Sequence, residues 1–192
     1  MFQVRFHGRG GQGVVTSAEL LSSAAFLEGS HAQAFPSFGS ERNGAPVVAF
    51  CRISEEPIRA REPIARPDAV VIGDPTLLHQ VAVFDGLAAT GLVLINSSRP
   101  LDELGLADLV ECLPDGNMIT VPASELAREH LGRPKPNAAL LGGFAALSGV
   151  VSLDSVCAAI RERFGGGLGE GNVAAATAAC RHVESKASAG VV

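Results

Sequence analysis

The sequence predicts a single-domain α/β protein in which a doubly wound, mostly parallel sheet forms the middle of three layers. Short apolar, strand-like runs alternate along the chain with stretches of helical periodicity. The first strand-like run ends in a glycine turn that leads directly into a helix, as in Rossmann-like folds. The 192 residues, of which 47% are apolar, are enough to bury one compact core.

The first half of the chain contains three predicted strands and one long helix. The segment FQVRF alternates apolar and polar residues as a half-buried strand does. After the glycines, a helix is predicted because four small or apolar residues share one face: Val14, Ala18, Leu21 and Ala25. HAQAF and APVVAFCRI are typical of the next two strands. The proline-rich segment SEEPIRAREPIARPD then predicts an extended surface connection.

The second half continues with strands and ends in helices. AVVIGDP and GLVLINSS are typical of buried parallel strands, and LVECL and MITVPA indicate two more, the second followed by a helix at SELAREHL. Three further helices are predicted from NAALLGGFAALSGVV, LDSVCAAIRERF and NVAAATAACRHVE, with GGGLGEG as a flexible joint before the last. The domain is therefore predicted to span residues 1–185, and residues 186–192 to form a frayed tail.

Polar residues follow three of the predicted strands at the point where each strand ends. The glycine turn follows the first strand, Asp74 follows AVVIG, and Asn96 follows LVLI. Because the carboxyl ends of parallel strands meet at one edge of a sheet, these features are expected to lie together there. Asp74 precedes a proline, which favours a turn-forming role for its carboxylate over catalysis.

The glycine turn matches the G-x-G-x-x-G frame with Gly8, Gly10 and Gly13. This frame can cradle a dinucleotide, or it can simply let a helix start close against a strand. A dinucleotide site also requires an acidic residue at the end of the second strand, and HAQAFPSF contains none. Arg9 and Gln12 are longer than the side chains common in such fingerprints. Tight packing is therefore at least as good an interpretation as a cofactor cradle.

The loop FPSFGSERNGAP carries two aromatic rings, Phe35 and Phe38, beside Glu41, Arg42 and Asn43. Each ring either packs under the loop into the core or inserts into a partner, because aromatic rings are unfavourable in water. Arg42 is suited to bidentate contacts with a carboxylate or phosphate. The loop as a whole is therefore predicted to serve an interface or a ligand.

Composition and missing motifs exclude several functions. The net charge of −5 and the presence of only two lysines argue against nucleic-acid binding, and the apolar stretches are too short for a membrane helix. The four cysteines are isolated, so neither a zinc site nor an iron–sulfur site is predicted. P-loop, nucleophile-elbow and HExxH motifs are absent. The sequence thus predicts a soluble, cytoplasmic protein without catalytic residues or metal ligands of its own.

Three strings follow one another in order over the first half of the chain: HGRGGQGVVTSAELL, AQAFPSFGSERNGAPVVAFCRI and PDAVVIGDPTLL. Together they closely resemble the gamma subunit of 2-oxoacid:ferredoxin oxidoreductases, the pyruvate synthase family. The resemblance implies a subunit, inactive alone, of an enzyme that oxidatively decarboxylates a 2-oxoacid with coenzyme A to acyl-CoA and CO2. It leaves open whether the 2-oxoacid is pyruvate, a branched-chain acid, 2-oxoglutarate or an aromatic acid.

The resemblance also implies where the cofactors lie. Alpha and beta subunits hold thiamine diphosphate with Mg2+, and beta or delta subunits hold the [4Fe-4S] clusters, which pass electrons to ferredoxin or a similar acceptor. The gamma subunit closes over the active site and helps to form the coenzyme A region. The stoichiometry of the complex is left open.

Two loops carry the residues that the resemblance marks for contacts with partner subunits or with the coenzyme A entrance. They are Arg9, Gly10, Gly11, Gln12, Gly13, Ser37, Phe38, Gly39, Glu41, Arg42, Asn43 and Gly44. Many relatives have a second arginine where this chain has Asn43, which leaves an anion contact from that position open. Two alternatives remain: a free-standing dinucleotide-binding oxidoreductase, and an assembly module whose glycine turn only packs.

Overall fold

The computed structural model describes residues 1–37 and 44–189. Within these residues, six strands form one sheet in the order β2-β3-β1-β4-β5-β6. The strands are β1 (Phe2–Arg9), β2 (His31–Pro36), β3 (Pro46–Ser54), β4 (Ala69–Ile72), β5 (Leu92–Asn96) and β6 (Met118–Val121). The α/β class and the single domain that the sequence predicts are confirmed.

The described residues also form six α-helices and two short 3₁₀ helices. The α-helices are α1 (Val14–Leu27), α2 (Ala107–Cys112), α3 (Ala123–Leu131), α4 (Asn137–Ser148), α5 (Leu153–Arg163) and α6 (Gly166–Ala189). The 3₁₀ helices are Pro75–His79, which is called the 75–79 turn below, and Asp102–Leu104. None of these helices has both the length and the apolar character needed to cross a membrane.

The sheet is mostly parallel, with one reversed strand near its edge. β1, β4, β5 and β6 pair in parallel, whereas β3 runs antiparallel to both β1 and β2. β3 therefore separates β2 from β1, although α1 joins these two strands directly in the chain. The βαβ unit that starts at the glycine turn thus lacks the adjacent second strand of a dinucleotide-binding unit.

Alternating strand residues bury the two faces of the sheet in two apolar clusters. One face, with Val4, Phe6, Val71 and Leu94, packs against α1, α4, α5 and α6. The opposite face, with Val70, Ile72, Val93 and Ile95, is covered by the 75–79 turn, the 102–104 helix and the segment around α2. This period of two along each strand produces the three layers that the sequence predicts.

Two predicted elements differ from the structure. LVECL forms part of helix α2 and not a strand, because Leu106, Leu109 and Leu113 repeat at helical spacing and pack on the second face. GGGLGEG was predicted as a flexible joint, but α6 begins at Gly166 and includes most of it. An added Cβ at Gly169 would collide with the Phe164 carbonyl, so glycine here permits the close approach of α6 to the end of α5.

The last helix continues past residue 185, where the sequence predicts the domain to end. Lys186 of α6 donates from Nζ to the Thr120 carbonyl at 3.1 Å and to the Thr120 hydroxyl at 3.0 Å. Residues 186–189, which were predicted as part of a frayed tail, form the end of α6. Residues 190–192 lie outside the described part of the chain.

The buried cysteines are structural thiols in this fold. Cys51, Cys157 and Cys180 are buried. Burial raises the pKa of Cys51 to about 12, so its thiol stays protonated at neutral pH. Among residues 1–37 and 44–189, no cluster of three or more His, Cys, Asp or Glu side chains is arranged to hold a metal ion.

Candidate functional site

The polar residues that follow β1, β4 and β5 meet at one edge of the sheet, which confirms the arrangement predicted from the sequence. The Gly73 N–H donates to the His7 carbonyl at 2.7 Å. Asn96 donates from Nδ2 to the Gly73 carbonyl at 2.9 Å, and its Oδ1 accepts from the Ser124 N–H at 3.0 Å. Asn96 therefore joins the end of β4 to the start of α3 and stiffens this edge.

The glycine turn lets α1 start close against β1. A Cβ at Gly8 would lie 2.6 Å from Cγ2 of Val14, so any larger residue there would force the Val14 side chain at the start of α1 to move. Gly13 is the N-cap of α1 and has a left-handed φ of 79°. A Cβ at Gly13 would lie 3.0 Å from Nδ2 of Asn137, the first residue of α4. The turn thus brings α1, β1 and α4 together.

Four of the five N–H groups of the Arg9 guanidinium donate to the protein's own acceptors. Its Nε donates to Asp74 Oδ2 at 3.2 Å, and its Nη1 donates to the Gly44 carbonyl at 3.0 Å. Its Nη2 donates to the Thr76 hydroxyl at 2.6 Å and to Gln80 Oε1 at 2.8 Å. These bonds fasten the glycine turn to Gly44 and to the 75–79 turn.

Asp74 is the anion at the centre of this network. Burial alone would raise the pKa of Asp74, but hydrogen bonds from Thr76 and Gln12 and the charge of Arg9 outweigh burial and lower that pKa. Oδ1 accepts from the Thr76 N–H at 3.0 Å and caps the 75–79 turn. The turn-forming role predicted for Asp74 is confirmed.

His7 lies one residue before the turn and is buried in the sheet. Burial, followed by the nearby positive charge of Arg5, lowers the pKa of His7 to about 4. The imidazole is therefore neutral at physiological pH, and within the described chain its Nε2 has no hydrogen-bond partner.

A cleft of about 340 Å³ opens beside the glycine turn, between the start of α1 and the segment that leads from α3 into α4. Three cationic residues line it, Arg9, Arg133 and Lys135, and no aspartate or glutamate of the described chain does. The side chains of Arg133 and Lys135 are exposed and, within residues 1–37 and 44–189, have no hydrogen-bond or ion-pair partner. The cleft is therefore suited to an anionic ligand.

Asn137 adds a neutral donor to the same cleft. The residue is only 7% exposed, and its side chain makes no hydrogen bond to another described residue. Its amide atoms are not among the fully buried, unpaired polar atoms of the described chain, so they reach the cleft and are available to hydrogen-bond a ligand there. The first N–H groups of the twelve-residue helix α4 lie in the same place and favour negative charge.

One wall of this cleft contains residues that were marked in the sequence, and the other does not. Arg9, Gly11 and Gly13 of the marked loop line the cleft, and their contacts with coenzyme A or partner subunits stay a prediction. Arg133 and Lys135 were not predicted as site residues. The motif GRPKPN, in which these two cations alternate with prolines directly before a helix, was the signal available for them.

The second marked loop is only partly described. Ser37 is exposed, and its N–H donates to the Val48 carbonyl at 2.8 Å. Gly44 has a left-handed φ of 81° and is exposed. Phe38, Gly39, Glu41, Arg42 and Asn43 lie outside the described residues, so their predicted roles stay predictions. The ring centroids of Phe35 and Phe50 lie 5.1 Å apart on the sheet, and the Arg52 guanidinium lies over the Phe35 ring.

A family model described as pyruvate ferredoxin/flavodoxin oxidoreductase matches residues 3–182. The chain is 49% identical over 176 residues to the pyruvate/ketoisovalerate oxidoreductases common subunit gamma of Thermococcus kodakarensis, covering 92% of this chain and 94% of that protein. It is 46% identical over 176 residues to the pyruvate synthase subunit PorC of Methanothermobacter marburgensis, with the same coverage of 92% and 94%.

Solved structures share the fold. The crystal structure of the pyruvate oxidoreductase subunit PORC from Thermotoga maritima matches with a TM-score of 0.79 and 30% identity, covering 94% of this chain and 95% of that one. A chain of the 2-oxoglutarate:ferredoxin oxidoreductase from Magnetococcus marinus matches with a TM-score of 0.70 and 20% identity. This chain covers 31% of that longer chain, in which the same fold is one part.

The fold and the relatives define an α/β subunit of an oxidoreductase. The chain belongs to the pyruvate ferredoxin/flavodoxin oxidoreductase family, as a gamma subunit of a multisubunit 2-oxoacid:ferredoxin oxidoreductase. The resemblance seen in the sequence is confirmed, and a free-standing dinucleotide-binding enzyme is not favoured.

Proposed function

We propose that this subunit forms one wall of the coenzyme A site in a complex that oxidatively decarboxylates a 2-oxoacid. The reaction transfers the acyl group to the coenzyme A thiol, releases CO2 and passes the electrons to ferredoxin or a similar acceptor. The observation that carries the proposal is the cleft beside the glycine turn, which is lined by cations without a carboxylate among the described residues. Coenzyme A carries a diphosphate and a 3′-phosphate, which are anions of the kind that such a cleft favours.

The lining residues have separate tasks in this proposal. Arg133 offers a planar guanidinium for bidentate contact with one phosphate, and Lys135 offers a compact charge for another. The start of α4 and the amide of Asn137 add neutral donors close to them. The Magnetococcus marinus enzyme, a fold neighbour, was solved with 2-oxoglutarate, coenzyme A and succinyl-CoA bound. Ser37 and Gly44, the described residues of the second marked loop, are exposed and are proposed to contact partner subunits or the coenzyme A entrance.

The remaining chemistry belongs to the partners. In this proposal alpha- and beta-type subunits supply thiamine diphosphate with Mg2+, and beta- or delta-type subunits supply the [4Fe-4S] clusters. Thiamine diphosphate provides the carbanion chemistry of decarboxylation. The gamma subunit binds and orients coenzyme A, and it closes over the active site to exclude water.

Reconstitution tests the subunit role. The purified chain is expected to show no 2-oxoacid oxidation, and activity is expected to return when alpha, beta and delta subunits are added. Turnover by the isolated chain, or full activity of the complex without it, would contradict the proposal. Titration of the isolated chain with NAD(H) and FAD separates the dinucleotide alternative, for which micromolar binding is required.

Charge removal in the cleft tests the coenzyme A site. Arg133→Gln and Lys135→Gln, each in the reconstituted complex, are expected to raise the KM for coenzyme A about tenfold while kcat changes little, because each removes a charged contact to phosphate. Arg181→Gln, which removes an exposed charge from a distant part of α6, is the matched control.

Dephospho-coenzyme A then assigns the cations to particular phosphates. The variant that discriminates less between coenzyme A and dephospho-coenzyme A has lost the 3′-phosphate contact, and the other variant has lost a diphosphate contact. If both cleft variants keep the control's KM for coenzyme A, the chain acts only as an assembly module and the proposed site is wrong.

A further inference from the structure

We infer that Arg9 is a positioning residue, which holds the glycine turn as a fixed wall of the cleft and does not itself bind the anionic ligand. The inference rests on the proposed function, because its effect is measured through coenzyme A. The sequence marks Arg9 for a ligand or partner contact, and the structure gives its guanidinium a different task.

The donors of Arg9 are already in use. A guanidinium has five N–H groups, and those of Arg9 reach four acceptors on two segments of the chain, Gly44 and residues 74–80. Arg133 and Lys135, on the opposite wall, have no side-chain partner among residues 1–37 and 44–189. For Arg9 to bind a phosphate with the planar fork, its Nη2 would have to give up Thr76 or Gln80, because both edges of the fork use an N–H of Nη2. Arg133 and Lys135 can bind a phosphate without breaking a side-chain hydrogen bond to another described residue.

The acceptors of Arg9 are themselves fixed by reciprocal bonds. Gln12 Oε1 accepts from the Arg9 N–H at 2.7 Å, and Gln12 Nε2 donates to Asp74 Oδ2 at 2.9 Å. The Thr76 hydroxyl accepts from Arg9 and donates to Asp74 Oδ1 at 2.6 Å. Charged hydrogen bonds in such a closed network support one another, so loss of either charge loosens the whole.

The network holds the backbone that shapes the cleft. The Gly10 N–H donates to the Ala45 carbonyl at 2.9 Å, and the Gly44 N–H donates to the Gly10 carbonyl at 3.3 Å. Arg9 adds its own bond to the Gly44 carbonyl. Gly11 and Gly13, which line the cleft, are thus tied through Arg9 to the 75–79 turn. Their placement sets the distance between the turn and the cations across the cleft.

Four variants of the reconstituted complex test this role: Arg9→Gln, Arg9→Lys, Asp74→Asn and the double variant Arg9→Gln/Asp74→Asn. A positioning role predicts that Arg9→Gln and Asp74→Asn each raise the KM for coenzyme A, by about tenfold for the first, since small misplacements of a binding wall are costly. The double variant is expected to be no worse than the worse single variant. Arg9→Lys is expected to stay impaired, because a lysine reaches too few of the acceptors.

A direct phosphate contact from Arg9 gives the opposite pattern. Asp74→Asn would then leave the KM unchanged or lower it by freeing the arginine, and Arg9→Lys would retain most of the affinity. Either result overturns the inference, as does a loss of thermal stability in Arg9→Gln with KM and kcat unchanged. If Arg9→Gln fails to fold, Gln80→Ala removes a single acceptor and is expected to raise the KM by a smaller factor.

Failure of the proposed function is distinguishable from failure of this inference. If Arg133→Gln and Lys135→Gln leave the KM for coenzyme A unchanged, the cleft does not bind coenzyme A and the proposed function is wrong. If those two variants raise the KM for coenzyme A but Asp74→Asn does not, the coenzyme A site stands and only the positioning role of Arg9 is wrong.

Discussion

Replacing Gly142 with alanine is expected to lower the free energy of unfolding by about 3 kcal/mol, the upper end of the usual range of about 1–3 kcal/mol for forcing an atom into a packed core. Gly142 lies in α4 where this helix crosses α6, and an added Cβ would collide with the backbone carbonyl of Ala176. A backbone atom in the middle of a helix has no rotamer by which to move aside, so the two helices must separate. Denaturant unfolding of the isolated chain measures the loss.

Gly143→Ala is the matched control for this prediction. The neighbouring glycine lies in the same helix, but its added Cβ would lie 3.4 Å from side-chain methyl groups of Leu94 and Val183, which can shift. Alanine also favours a helix over glycine by about 1 kcal/mol. Gly143→Ala is therefore expected to stay within about 1 kcal/mol of the original chain. Equal losses in the two variants would show that the α4–α6 crossing is not the tight contact.

Separation of α4 from α6 has a consequence for the site. The first residue of α4, Asn137, and a residue near the start of α6, Asn172, both line the cleft. The opposite wall belongs to the glycine turn, which is fixed independently by Asp74 and Gly44. A shift of α4 would therefore change the width of the cleft while leaving the turn in place.

The alternation of strands and helices was predictable because it depends on local periodicity. The strand order was not, since the insertion of β3 between β2 and β1 depends on which faces pack in three dimensions. Arg52 shows why contacts between distant segments could not be predicted from local patterns. It lies in a strand and is 1% exposed, with Glu62, Gln3 and Gln33 as its hydrogen-bond acceptors from distant parts of the chain. A pattern within one segment carries no information about such partners.

The candidate site shows the same division. The glycine turn and the polar ends of β4 and β5 were predictable because the carboxyl ends of parallel strands share one edge. Arg133 and Lys135 were missed because they are more than a hundred residues from the turn in sequence and reach the cleft only through the packing of α4. The hydrogen bonds of Arg9 could not be predicted either, because its acceptors at Gly44 and residues 74–80 are distant in sequence from the glycine turn.

Gly13→Ala is expected to raise the KM for coenzyme A about tenfold in the reconstituted complex, because a displaced wall weakens every contact across the cleft. Gly13 has a left-handed backbone, and its added Cβ would lie 3.0 Å from Nδ2 and 3.2 Å from Cγ of Asn137. The methyl group would thus push on the buried amide that lines the cleft. Steady-state kinetics with coenzyme A as the varied substrate measure the effect.

Gly29→Ala controls for the backbone strain in that experiment. Gly29 also has a left-handed φ, of 85°, but an added Cβ would meet nothing within 4 Å. Both variants are therefore expected to lose about 1–2 kcal/mol of stability from the backbone conformation alone. Only Gly13→Ala alters the contact with Asn137, so only it should change the KM. If the two variants unfold alike and bind coenzyme A alike, the junction of the glycine turn with α4 does not form the ligand wall.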